Sequence, residues 1–507
     1  MTHLRPRSRR LLAVPLGLTL AAALGLLPGA ASAASAPEPG SSAVAAAGEN
    51  LSYVVNTKTD GKTIARVTDA IADADGSVVA THKKIGVFVA HSTNPDFAAE
   101  LRGVRGVNSA GASRTAPLTP GGTLETSAPE VYKGAAKARS QDPDVEPLEN
   151  EQWDLPAIGA DKAHKISTGS RDVTVGVIDT GVDDTHPDLK NNFSAEQSAN
   201  CVGGVADTTE GAWRPYDPAG DYHGTHVAGE IAAERNGVGV AGVAPGVQVA
   251  SLKVSEPDTA LFYAEAVVCA FVFAGDNGIE ITNNSYYVDP WLYNCLDDPD
   301  QRAIVEAVNR ASMYAMGKGT LHLAAAGNSN DDLASDEILD DSSPNDTTPG
   351  DRTIDPSECW DIPTQLPGIV TVSATGVNDD KSYYSSYGQK VVDVAAPGGD
   401  GYQIPDTPSK NGRILSTLPE NKYGWLQGTS MATPHAAGVA ALIKSKHPRL
   451  SPAALHLMMK VQADNPGCPE FYDPDGNGVE DSTCTGSKRG NGFYGAGIVD
   501  AYDAVRR

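Results

Sequence analysis

Residues 173–189 read VTVGVIDTGVDDTHPDL. The first six are β-branched apart from one glycine, the composition of a strand buried on both faces, and the run stops at Asp179. Similar runs follow at 247–254 (VQVASLKV), 279–286 (IEITNNSY), 320–327 (TLHLAAAG) and 369–376 (IVTVSATG), with 391–398 (VVDVAAPG) expected near the sheet edge. Between them lie helical stretches at 224–234, 264–275, 301–317 and 430–447. Near-continuous apolar strands alternating with helices predict an α/β fold, a parallel sheet covered by helices on both faces. Catalytic groups in such sheets collect at the carboxyl ends of the strands, which is where Asp179 falls.

Two further segments complete a chemical set: HGTHVAG at 223–229 and GTSMATPHAAG at 428–438. A serine hydroxyl is a poor nucleophile near neutral pH. It needs an imidazole to take its proton and a carboxylate to hold that imidazole in the right tautomer. Asp179, His223 and Ser430 supply all three, each among glycines and small residues. Ser430 opens a predicted helix, whose positive end favours negative charge developing there. His226 and His435 read as packed structural residues.

With these motifs in the order Asp, His, Ser, the chain resembles the subtilisin-like serine peptidases (family S8). The resemblance extends to APG around Pro397, SSYG at 385–388, HPRLSP at 447–452 and YGAGIVDAYDAV at 494–505. It implies a serine endopeptidase with Asp179, His223 and Ser430 as triad and Asn328, in AAAGNSN, as the oxyanion donor. It also implies that an extended strand over 283–287 pairs with the peptide, so that Ser285, Tyr286, Tyr287, Ala325, Ala326 and Gly327 bind substrate. Most relatives have glycine where Tyr287 stands, which puts broad specificity in doubt. Against compact bacterial relatives the chain has extra material at 291–300, 330–361 and 462–491. The acidic stretch 331–346 either flanks the primary pocket, favouring a basic residue before the cleaved bond, or is a solvated loop.

The same resemblance implies structural calcium at Asp188 and Asn236, completed by the carbonyls of Val238 and Val240. Calcium prefers six to eight oxygens, which such a loop supplies. A second loop, DPDGNGVED, puts Asp473, Asp475 and Asn477 at calcium-loop spacing, but Cys484 stands where a bidentate glutamate belongs. A tight Asp/Gly turn explains it nearly as well. No catalytic metal or organic cofactor is expected.

At 507 residues the chain exceeds a usual single domain, and its formal net charge is −25. That disfavours a nucleic-acid partner. Arg5, Arg7, Arg9 and Arg10 precede an apolar run at 11–27 and then ASAASA at 31–36, the pattern of a secretory signal peptide. Cleavage after Ala33 and after Ala36 fit equally. No comparable apolar run follows, so the product is expected to be secreted and extracellular, with no membrane partner.

Residues 51–112 alternate as strand, helix, strand, strand, helix, strand, a ferredoxin-like α+β order. Between a signal peptide and a peptidase this resembles the family's inhibitory propeptide, acting as intramolecular inhibitor of a zymogen. Residues 115–147 are poor in large apolar residues and read as a linker. The expected domains are therefore a signal peptide over 1–36, propeptide and linker over 37–149, and the peptidase over 150–507, working as a monomer on polypeptide substrates. Six cysteines allow fifteen pairings. Cys468 with Cys484 is favoured, then Cys295 with Cys359, while Cys269 reads equally as a free core thiol. Rival functions are a narrow precursor- or leader-processing peptidase of the same fold, and an inactive relative acting by binding.

Overall fold

The computed structural model describes residues 48–118, 128–134, 145–257 and 259–507. The expected signal peptide and its cleavage positions lie outside these residues.

A seven-stranded parallel sheet carries the larger part of the chain. Its strands run in the order Val394–Pro397, Val370–Thr375, Leu321–Ala325, Ile281–Asn284, Thr174–Asp179, Gln248–Lys253 and Ala199–Asn200. Both faces are buried, as the β-branched runs require. Alternate residues serve opposite layers: Val175 and Val177 pack with Val227, Ile231 and Val439, from helices His223–Ala232 and Thr429–Lys446. Ile178, Leu252 and Ala324 pack with Phe271, Ile304 and Val308, from helices Ala264–Asp276 and Pro299–Lys318. The period-two alternation of side chains produces this division.

Residues 51–112 form the expected α+β unit. Its antiparallel sheet runs Gly76–His82, Val87–Ser92, Leu51–Thr57, Val107–Ala112. Leu51, Tyr53 and Val55 face the unit's own helices, whereas Val54 and Val87 join the apolar layer of helices Ala264–Asp276 and Pro299–Lys318. Polar contacts rim this junction. Asn56 Nδ2 donates to the Ala303 carbonyl at 2.9 Å, Arg310 Nη1 donates to Thr57 O at 2.6 Å, and Arg102 pairs with Asp300.

Two sequence expectations are refined. The described residues of the stretch 115–147 are not without contacts to the rest of the chain. The amides of Thr115 and Ala116 donate to Asp346 Oδ2 at 2.7 and 3.0 Å, and Glu130–Val131 adds an antiparallel strand beside Lys422–Leu426. Low apolar content denied this segment a core of its own, but a strand can be held by main-chain bonds to an existing edge. Nor is Cys269 a free thiol. It is bonded to Cys201, tying the end of the edge strand to helix Ala264–Asp276. Cys295–Cys359 and Cys468–Cys484 pair as favoured.

Candidate active site

Asp179 is the last residue of its strand and is fully buried. His223 is the first residue of helix His223–Ala232. The two meet because Gly224 has no side chain: a Cβ there would stand 2.4 Å from Gly181 O and 3.1 Å from Asp179 Cβ. The Gly224 amide donates to Thr180 Oγ1 at 3.0 Å, pinning the helix start to the strand end. His223 Nδ1 then lies 2.9 and 3.0 Å from the two Asp179 oxygens, and Asp179 Oδ1 accepts from the Thr180 amide at 2.7 Å. Burial pushes the His223 imidazole down, but the charge and hydrogen bond of Asp179, with the charge of Glu230, outweigh it and hold the ring above its ordinary 6.5.

Ser430 is the second residue of helix Thr429–Lys446, where backbone amides have no intrahelical acceptor. Four residues on stands Pro434, which has no N–H to give the Ser430 carbonyl. Ser285 Oγ donates to that carbonyl instead, at 2.9 Å. The Ser430 hydroxyl in turn donates to the Ser285 carbonyl at 3.3 Å, not to the imidazole. The row from acid to nucleophile is thus closed at the Asp179 end and open at Ser430.

Asn328 follows the strand Leu321–Ala325. Its Oδ1 accepts from the Thr429 amide at 2.9 Å and from Thr429 Oγ1 at 2.8 Å. An amide N–H must face an oxygen, so the Asn328 NH2 is the free end. His223, Ser430 and Asn328 line one cleft of about 360 Å³, with Thr180, Ser285, Tyr286, Tyr287, Ala325 and Gly327. Ala326 is fully buried beside it. The strand expected over 283–287 ends at Asn284. Beyond it the Tyr286 hydroxyl donates to Asn284 Oδ1 at 3.0 Å while its ring stacks on Phe262, and the Tyr287 hydroxyl accepts from Asn345 Nδ2 at 2.8 Å. Tyr287 therefore forms cleft wall, braced by the acidic insertion.

Residues 170–497 match the sequence model of the peptidase S8, subtilase family. The chain belongs to the subtilase family. It is 33% identical to subtilisin DY of Bacillus licheniformis over 321 residues, covering 63% of this chain and 94% of that protein. Subtilisin E of Bacillus subtilis (strain 168) is 30% identical over 361 residues, 69% of this chain and 78% of that protein. Among solved structures, the epidermin leader peptide processing serine protease of Staphylococcus aureus superposes with a TM-score of 0.63. It is 23% identical, over 90% of this chain and 98% of that one. As a subtilase, this chain is a serine endopeptidase of the subtilisin-like fold.

His226 and His435 are structural, as expected. His226 Nδ1 bonds Glu230 at 2.7 Å, and His435 Nε2 bonds Asp154 at 3.0 Å in a fully buried cluster. Burial opposes charge on His435, yet its bonds to Asp154 and Glu230 lift it to about 10.

At the expected calcium loop, Asp188 is buried and accepts from the Val240 amide at 3.1 Å and from the Tyr423 hydroxyl at 3.0 Å. Asn236 presents its nitrogen to Asp188 at 3.4 Å, its oxygen being taken by the Val238 amide. Sequence reasoning missed Glu146, which accepts from the Gly237 amide at 2.8 Å. Burial, reinforced by Glu146, raises the Asp188 carboxyl to about 7, and burial raises Glu146 to about 7 as well. Two buried neighbouring carboxylates, meeting at the amides of Gly237 and Val240, suit a hard cation. The second loop brings carboxylate oxygens of Asp473, Asp475 and Asp481 within 4.8 Å of one another, while Asn477 donates its amide to Asp473 and Asp475.

Proposed function

We propose that this subtilase is an exported endopeptidase that hydrolyses peptide bonds through an acyl-enzyme on Ser430. Ser430 Oγ bonds to the scissile carbonyl carbon as its proton passes to His223 Nε2. The tetrahedral intermediate then collapses, the C–N bond breaks, and His223 returns the proton to the leaving amine. Water repeats the sequence and frees Ser430. Asp179 holds the tautomer throughout. The oxyanion receives Asn328 Nδ2 and the Ser430 amide. The mechanism requires the Ser430 side chain to turn from the Ser285 carbonyl toward His223 when substrate binds, the kind of tightening usual between free and occupied sites. The observation that carries this proposal is the Asp179–His223 pair at 2.9 and 3.0 Å, set in one cleft with Ser430 and Asn328. Asn328→Asp keeps the acceptor for Thr429 and removes the donor. It is expected to lower kcat at least about 100-fold with KM little changed, as loss of this donor does in subtilisin itself. Steady-state kinetics on a peptide substrate would check it.

Residues 37–149 are, in this proposal, a propeptide and connecting segment that inhibits the peptidase domain over 150–507 until export. The docked α+β unit supports it, as does the segment that follows. Arg114 pairs with Glu256 at 3.0 Å and Glu265 at 2.6 Å and lies 3.8 Å over the Tyr263 ring, next to Phe262 of the cleft. The mature enzyme works as a monomer on polypeptides.

A structural calcium ion would be held by Asp188, Asn236 and the Val238 and Val240 carbonyls, with Glu146 adding a carboxylate while residues 37–149 stay attached, and with Asp473, Asp475 and Asn477 as a second, weaker candidate. Bound calcium supplies charge neutralisation to the loop, not chemistry. Chelation is expected to remove about 3 kcal/mol of stability at saturating calcium. Thermal unfolding with and without chelator checks it, and Asp188→Asn should remove most of the difference.

A further inference from the structure

Asp361 lines the far wall of the cleft that holds Ser430, at the end of the acidic insertion. It is 3% exposed, and its Oδ1 is buried without any hydrogen-bond partner. The backbone is fixed in place: the Asp361 amide donates to Gln365 Oε1 at 2.7 Å, and the Gln365 amide returns a bond to Asp361 O at 2.8 Å. Other acids nearby are occupied. Asp289, in the same cleft, accepts from the Phe262 amide and Asn345 Nδ2, and Asp331 accepts from the Tyr293 hydroxyl at 2.6 Å. Burial, then the charge of Asp331, pushes the Asp361 carboxyl well above its usual range.

The acyl carbonyl of a substrate must sit between Ser430 Oγ and Asn328 Nδ2. The side chain it carries then passes the preceding residue, Gly327. Gly327 has φ 101°, and a Cβ there would reach within 3.7 Å of Asp361 Oδ2 and 3.2 Å of Ser386 Oγ. Gly327 itself places no side chain between the reacting centre and the orphaned carboxyl.

We infer that Asp361 selects arginine or lysine as the residue before the scissile bond, its carboxylate receiving the guanidinium or ammonium inside the cleft. A cation supplies the missing donor and the missing countercharge together, and arginine's planar fork matches a carboxylate. An apolar side chain leaves the carboxyl orphaned, and an acidic one sets a second carboxyl against it and Asp289 without supplying a countercharge. The inference deepens the reaction proposed for Ser430 and rests on it.

The test is kcat/KM of the processed enzyme on peptides that differ only in the residue before the cleaved bond: Arg, Lys, Leu or Glu. Arg and Lys are expected to exceed Leu about 100-fold or more, the usual reward for a desolvated charge pair. In Asp361→Asn, of nearly the same shape, the Arg-to-Leu ratio should shrink to within about tenfold, whatever the absolute rates. A wild-type enzyme that cleaves after Leu as well as after Arg would overturn the inference without any variant. So would an unchanged ratio in Asp361→Asn. Absence of hydrolysis across the whole wild-type series would instead overturn the chemistry at Ser430, and this inference with it.

Discussion

Ser430→Ala is expected to lower turnover of a peptide about a million-fold, the loss known from subtilisin when its nucleophile is removed. The fold should scarcely notice. The lost hydroxyl makes only a 3.3 Å bond to the Ser285 carbonyl, and the Ser430 carbonyl keeps its 2.9 Å bond from Ser285 Oγ whatever the side chain. Thermal unfolding should therefore stay within about 2 °C of the parent, since a small surface-type change moves stability by about 0.5 kcal/mol. If maturation is self-catalysed, intact mass should also find residues 37–149 still attached in the variant. Loss of activity with loss of folding would speak only of stability; loss of activity alone identifies the nucleophile.

Asp179→Asn should cost about 10,000-fold in kcat, a magnitude drawn from the serine-protease acid in general. The geometry gives the reason. Asp179 Oδ1 is claimed by the Thr180 amide at 2.7 Å, so an asparagine keeps its oxygen there and turns its NH2 toward His223 Nδ1. Nδ1 must then accept, the ring proton moves to Nε2, and the imidazole faces the hydroxyl with a donor where a base is needed. The pH profile carries a second signature. The base works only when neutral, and Asp179 holds it above the ordinary 6.5 despite burial. Wild-type activity should therefore disappear as pH falls through a value above 6.5. With the carboxylate gone, the acid limb of the residual activity should move down. A rate–pH series on both proteins measures the shift.

The sheet was legible because buried strands are written in short, nearly continuous runs of apolar and β-branched residues. Thr174–Asp179, Gln248–Lys253 and Val370–Thr375 lie within the runs quoted from the sequence. The edge strand Ala199–Asn200 was not, since two residues show no period and its place is set by pairing with Leu252 and Lys253. Cys269 sits in a helix whose apolar character explained it completely, and its partner is 68 residues away. One sequence offers no sign that two such positions meet. Glu146 and Asp361 escaped for a related reason: no motif singles out either carboxylate, and only tertiary packing buries it. Asp179, His223, Ser430 and Asn328 were legible through their glycine-rich settings. The direction of the Ser430 hydroxyl, toward Ser285, was not written anywhere in the chain.

Labelling of the processed protein with a fluorophosphonate, followed by digestion and tandem mass spectrometry, tests the activated serine most directly. A single phosphonyl adduct on Ser430, formed far more slowly in His223→Ala, is the predicted result. Protein that cleaves peptides while Ser430 stays unmodified, or that carries its adduct on another residue, would contradict it.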